Sequence, residues 1–177
     1  MRNVIAFLAI LALICGCRDR GREPPLEPLA RGLSEVMQPT YADFTLEIRA
    51  IDNGSGVTLH CVLRNVSILG TAIEVDASTL PWRNADLFDI NAVAANGEVV
   101  RRSPPPSVIA RISGPRTPLT IESGKSIEGD MDLGATPIKG LPRNEDLLLL
   151  WGTSLEELHS DNAWVVFRGV MFLKATS

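Results

Sequence analysis

The chain has 177 residues, 45% of them hydrophobic, and a formal net charge of −4. That length suits one globular domain once an export signal and a linker are set aside. The acidic balance excludes a nucleic-acid or anionic-membrane surface for the domain as a whole.

The N-terminus reads as an export signal. Arg2 gives a positive start, Val4 to Ile14 is an unbroken apolar run, and small Gly16 precedes Cys17. A charged start, a short apolar core and a small residue at the cut define a secretory signal. The run falls short of the roughly 20 residues a spanning helix needs. Ile14-Cys15-Gly16-Cys17 resembles the lipobox of bacterial lipoproteins, with Cys15 the one departure. The resemblance implies removal of residues 1–16 and a thioether-linked lipid on Cys17, so that the membrane is the first partner. Two acyl chains suffice for stable attachment. Losing Arg2 takes the net charge from −4 to about −5. In that family an aspartate directly after the cysteine can hold the protein at the inner membrane. Here Asp19 comes one place later, so the expected location is the outer membrane, facing the periplasm. With Cys15 cut away and Cys17 lipidated, Cys61 stands alone, and no intramolecular disulfide is expected.

Residues 17–40 read as a lipidated cysteine and a proline-rich tether. Pro24, Pro25 and Pro28 favour an extended course. Leu29 to Met37 suggests a helical turn or two, with little to bury. As a flexible coil this stretch reaches about 25 Å.

The domain is expected over 41–177, because there the chain switches to period two. Phe44, Leu46 and Ile48 alternate with polar residues, as in a half-buried strand. Asp52-Asn53-Gly54-Ser55-Gly56 is hairpin chemistry. Val57 to Asn65 returns with Val57, Leu59, Cys61 and Leu63 on one face and Thr58, His60 and Arg64 on the other. Further strands are predicted near 71–75, over 87–94 and over 98–101, the last two joined at Asn96-Gly97. Ser103 to Pro106 cannot be a central strand. Strands follow at 119–122 and 126–133. Leu147 to Trp151 is a continuous apolar run that suits a central strand covered on both faces. Leu155 to His159 reads as a helical turn, and 163–173 as the last strand. Seven to nine short strands predict an all-β antiparallel sandwich. Asn65-Val66-Ser67 at a strand end resembles the turn after the second strand of bacterial immunoglobulin-like domains, where the Asn ties down the turn. Ile121 to Ser126 resembles the turn before their E strand. The expected fold is therefore an immunoglobulin-like sandwich.

Chemistry is sparse. No nucleophile elbow, paired zinc motif or phosphate-binding loop is present in the sequence. His60 sits on a polar strand face and reads as a satisfied or solvated histidine. His159 with Glu156 and Glu157, or Asp130 with Asp132, offers metal donors, but neither set has the spacing or the ligand number a site requires. No cofactor is expected. Cys61 on the apolar face reads as core filler. Trp82, after Pro81 in a loop, is either tucked over the sandwich edge or offered to a partner. Arg101 and Arg102, beside Pro105 in the proline loop, add basic charge suited to an acidic partner. Trp82, Arg101, Arg102 and Pro105 are the candidate contact residues. The expected function is a non-enzymatic protein-binding lipoprotein, such as an immunity or inhibitor protein. A structural subunit of an envelope assembly is the alternative, and an enzyme the third class.

Overall fold

The computed structural model describes residues 26–37, 40–41, 43–53, 56–102, 115–135, 141–158 and 164–176. Cys17, Pro104 to Pro106, Arg111 and His159 lie outside the described residues. No described helix is long and apolar enough to cross a membrane.

The domain is an all-β antiparallel sandwich. The first sheet has the order β1 (Thr40–Tyr41), β2 (Phe44–Asp52), β3 (Val57–Asn65), β8 (Ser126–Asp132). The second has the order β10 (Trp164–Leu173), β9 (Leu147–Glu156), β5 (Asp89–Ala94), β6 (Val99–Arg102). A separate ribbon pairs β4 (Ile73–Asp76) with β7 (Pro118–Ile121).

Period two explains the core. Phe44, Leu46 and Ile48 from β2 and Val57, Leu59, Cys61 and Leu63 from β3 are buried, as the alternation predicts. They meet Ile90 and Ala92 of β5, Leu147, Leu149 and Trp151 of β9, and Val165, Phe167 and Met171 of β10. Register is fixed by the same pattern: Phe44 faces Asn65 and Asp52 faces Val57 across the β2–β3 hairpin. A slip of one residue would turn the buried face to water.

Part of the outer face of the second sheet is also covered. A helix, α1 (Leu26–Val36), lays Ala30 and Leu33 on Leu148 and Val170, with Leu150 and Phe172 at the margin. So Leu147 to Trp151 is covered on both sides, as a continuous apolar run demands. The helix is longer than the turn or two expected from the tether, and it does bury side chains. Leu26, Leu29, Ala30 and Leu33 follow the i, i+3, i+4, i+7 spacing. Pro28 falls in the first turn, where a missing N–H costs nothing.

One expected element is absent. Leu155 and Glu156 are the last residues of β9, not a helical turn, and Glu157 bridges to Val75. Leu155 is needed in the core, and the Glu156 N–H donates to Thr79 Oγ1 at 3.1 Å. Those tertiary contacts outweigh a helix propensity of a few tenths of a kcal/mol per residue.

Candidate interaction site

The best-anchored turn in the described structure follows β3, and Asn65 holds it. Its Nδ2 donates to Thr71 O and to Ile121 O, both at 2.8 Å. Its Oδ1 accepts from Ser67 N at 2.9 Å. Its backbone N–H donates to Lys125 O, and its carbonyl accepts from Gly124 N. A fully buried asparagine is thus satisfied on every side. Around it, Val66 N donates to Asp43 O at 2.7 Å, and Ser123 Oγ donates to Ser67 O at 2.9 Å. This is the turn-tying role the sequence suggested for Asn65.

The rigid base carries two aliphatic side chains into water. Gly70 N donates to Ser67 O, so Ile68 and Leu69 occupy the two central turn positions. They are 95% and 84% exposed, and neighbouring Val66 is 36% exposed. Turns ordinarily take Gly, Asn, Asp or Pro there. Gly70 closes the turn at φ 73, which only glycine adopts cheaply. The register Phe44–Asn65 and Arg64–Ser126 puts this turn at the end of the sandwich where β2 begins. The β2–β3 hairpin lies at the other end, where Arg143 pairs with Asp52.

A second feature is the outer face of the first sheet, which α1 does not cover. It carries Glu47 and Arg49 from β2, His60 and Arg64 from β3, and Glu128, Asp130 and Asp132 from β8. His60 Nδ1 lies 2.7 Å from Asp130 Oδ1, and Nε2 lies 3.8 Å from Glu128 Oε2. Arg49 pairs with Glu47. His60 is therefore the satisfied histidine expected. Asp132 accepts from Gly134 N at 2.8 Å, which turns the chain after β8. Among the described residues no three His, Cys, Asp or Glu side chains gather to hold a metal ion.

A polar nest joins the ribbon to the sandwich. Buried Asp76 accepts from Ser78 N at 2.9 Å and from Thr117 N at 3.0 Å. Burial pushes its pKa up. The two N–H bonds and the nearby Arg116 charge more than offset this and hold the carboxyl below its ordinary 3.8. Arg116 donates to Glu156 Oε1 at 2.8 Å. Glu156 is thus spent on an ion pair. Cys61 is fully buried, and burial, with a smaller push from the Asp130 charge, raises its thiol from 9.0 to about 12. It is core filler, not a nucleophile.

The expected contact residues lie at the edges of two different sheets. Trp82 is half-buried, packed on the main core and against Gly129 of edge strand β8. Arg101 and Arg102 end β6, the edge of the other sheet, opposite Ala92 and Asn91. Pro105 lies outside the described residues. The sequence did not single out Ile68 and Leu69. The available signal was an apolar pair bracketed by Ser67 and Gly70, directly after an Asn-x-Ser. No family model matches the chain, and no curated protein matches it in sequence.

Proposed function

We propose that this is a lipid-anchored bacterial envelope protein whose immunoglobulin-like sandwich works as a non-enzymatic module that binds another envelope protein. The strand order supports the immunoglobulin-like reading. β2-β3-β8 facing β10-β9-β5-β6 matches the A-B-E and G-F-C-C′ sheets of that architecture. The lipobox-like Ile14-Cys15-Gly16-Cys17 supports the anchor.

The observation that carries the binding role is the unequal covering of the two sheets. Among the described residues, helix α1 covers part of the outer face of one sheet and lies on none of the other, which carries Glu47, Arg49, His60, Arg64, Glu128 and Asp130 in fixed register. The hydrogen-bonded sheet already holds the backbone beneath these side chains in place, so binding need not order it, and a patterned charged face steers and selects a charged partner. Trp82, Arg101 and Arg102, at the sandwich edges, stay in the proposal as further contact residues, together with Pro105 of the proline loop. An immunity or inhibitor protein held at the membrane is one concrete form.

The test uses the lipidated chain purified from detergent-solubilised envelopes. A partner recovered with wild type should dissociate in high salt and be lost from Arg49→Glu/Arg64→Glu, but be kept by Val166→Asp on the other sheet. A partner lost instead from Arg101→Glu/Arg102→Glu moves the contact to that edge. Turnover of a substrate by the purified chain ends the binding-module reading. Cys17→Ser should abolish membrane attachment and palmitate labelling; a wild type without label removes the anchor.

A further inference from the structure

We propose that the Ile68–Leu69 turn dips into the apolar boundary of a lipid bilayer and gives the anchored domain a second hold on the membrane. The inference rests on the reading that Cys17 carries lipid, and it adds a membrane contact made by the folded domain itself.

The geometry asks for an apolar, yielding occupant. Two neighbouring aliphatic side chains, 95% and 84% exposed, protrude from a convex turn. Solvent exposure of a connected apolar pair is a feature to be explained. The turn does not collapse onto the domain, because Asn65, Ser67 and Val66 fix its base through seven side-chain and backbone hydrogen bonds. Rigidity of this kind removes the ordering cost of insertion.

Three observations favour lipid over a protein pocket. The patch is two side chains wide, far below the roughly 800 Å² per partner that a standard protein interface buries. It lacks the Trp, Tyr and Arg that dominate protein hot spots, where Leu is under-represented. And from Asn65 to Ile73 the chain carries no charged residue, so the inserting tip takes no charge of its own out of water. A contact this small is too weak to recruit a free protein to a membrane. For a chain already tethered it becomes an intramolecular event at high effective concentration. The bilayer is within range: residues 18–25 extend to at most about 28 Å, and α1 with the short link to β1 is of similar reach. The acidic balance of the domain does not oppose this, because the tip is neutral and needs no anionic lipid.

The test places a fluorophore on the tip. In Leu69→Cys the new thiol is the reactive one, since Cys61 is buried and Cys17 is lipidated. The labelled full-length lipoprotein goes into phosphatidylcholine vesicles carrying a shallow spin-labelled lipid. Emission from position 69 should be quenched several-fold more than from Val166→Cys, which is 53% exposed on the second sheet. Salt should leave the quenching unchanged, because the tip is uncharged. Ile68→Asp with label at 69 should abolish it while the protein stays anchored. Equal quenching at 69 and 166, or none at 69, overturns the inference. So does shielding of the label that appears only when envelope proteins are added, which places the tip in a protein pocket. Failure of the anchor is read separately, from the mass of the N-terminal fragment. If the anchor fails, the mature chain with Cys17→Ser is held on nickel-chelating vesicles by an N-terminal hexahistidine tag and labelled at position 69. Quenching there should again be several-fold stronger than at 166, and Ile68→Asp should abolish it. Equal quenching at 69 in the two chains overturns the inference as well.

Discussion

A β-carbon built on Gly129 would lie 2.3 Å from Cδ1 of Trp82. The indole fills the space an ordinary side chain on β8 would take. Trp82 thereby closes the core at the open edge of the first sheet, next to Ile127 and Met131. The pair is a lock of one large and one absent side chain.

From that lock the first prediction follows. Gly129→Ala should cost about 1–3 kcal/mol through overpacking. Trp82→Ala should cost about 3 kcal/mol through the cavity it leaves. In the Trp82→Ala background the alanine at 129 should cost almost nothing, because its obstacle is gone. Urea melts of the two single variants and the double variant measure the coupling. Simple additivity of the two losses would contradict the packing described.

The sandwich was largely legible in the sequence because its strands are half-buried and alternate. Phe44 to Ile48 and Val57 to Leu63 give their inward faces directly, and Asn96-Gly97 marks its hairpin. What was not legible depends on partners distant in sequence. Leu26, Ala30 and Leu33 make a stable helix only because Leu148 and Val170 offer an apolar floor. Leu155 and Glu156 stay extended because Thr79 and Arg116 hold them. Trp82 could be placed on an edge or in solvent until Gly129, 47 positions away, was seen beneath it. Ile68 and Leu69 carry no charge or motif that marks them in the sequence, and it is the turn geometry that turns them outward.

The Asn65 network gives the second prediction. Asn65→Ala removes two donated bonds and one accepted bond, and leaves the carbonyls of Thr71 and Ile121 and the N–H of Ser67 without their partner. The cost should be about 2–4 kcal/mol, the scale of stranding several buried polar groups. Asn65→Asp should be nearly as harmful, since it keeps the acceptor but loses both donors. Hydrogen exchange at residues 66–72 should rise in both variants by more than the global loss of stability explains. Unchanged exchange there would show that the turn is held by something else.

Cys61 sets the alkaline behaviour. In the fold its thiol stays neutral up to about 12, while in the unfolded chain it ionises near the ordinary 9.0. Below 9 the two states hold the same proton and the group is silent. Between 9 and 12 the unfolded chain gains by ionising and the fold does not, so stability falls as pH rises. Cys61→Val should cost under about 1.5 kcal/mol at pH 7, as a near volume-conserving swap. It should also flatten the decline of the urea midpoint between pH 9 and 11. A thiol reagent should modify wild-type Cys61 only on unfolding. Fast modification of the native protein at pH 7 would contradict the burial.

Asp76 sets the acid behaviour, in the opposite sense. Its folded pKa lies below the ordinary 3.8, because the bonds from Ser78 N and Thr117 N and the charge of Arg116 outweigh burial. The ionised carboxylate therefore favours the fold at every pH above 3.8. That contribution is lost as the pH falls through the lower, folded value, where both states become protonated. Asp76→Asn removes the charge together with the bond from the Ser78 hydroxyl, while its amide oxygen can still accept both N–H bonds. Hydrogen bonds to charged groups exceed neutral ones by about 1 kcal/mol, and that is the expected loss at pH 7. The gap between the two urea midpoints should shrink as the pH falls below 3.8 and close once it has passed the lower, folded value. Asp76→Ala should cost more at every pH, because it also strands the N–H groups of Ser78 and Thr117 and loosens the β4–β7 ribbon from β9. A pH-independent gap between wild type and Asp76→Asn would show that the carboxylate charge contributes nothing and that shape alone holds the ribbon.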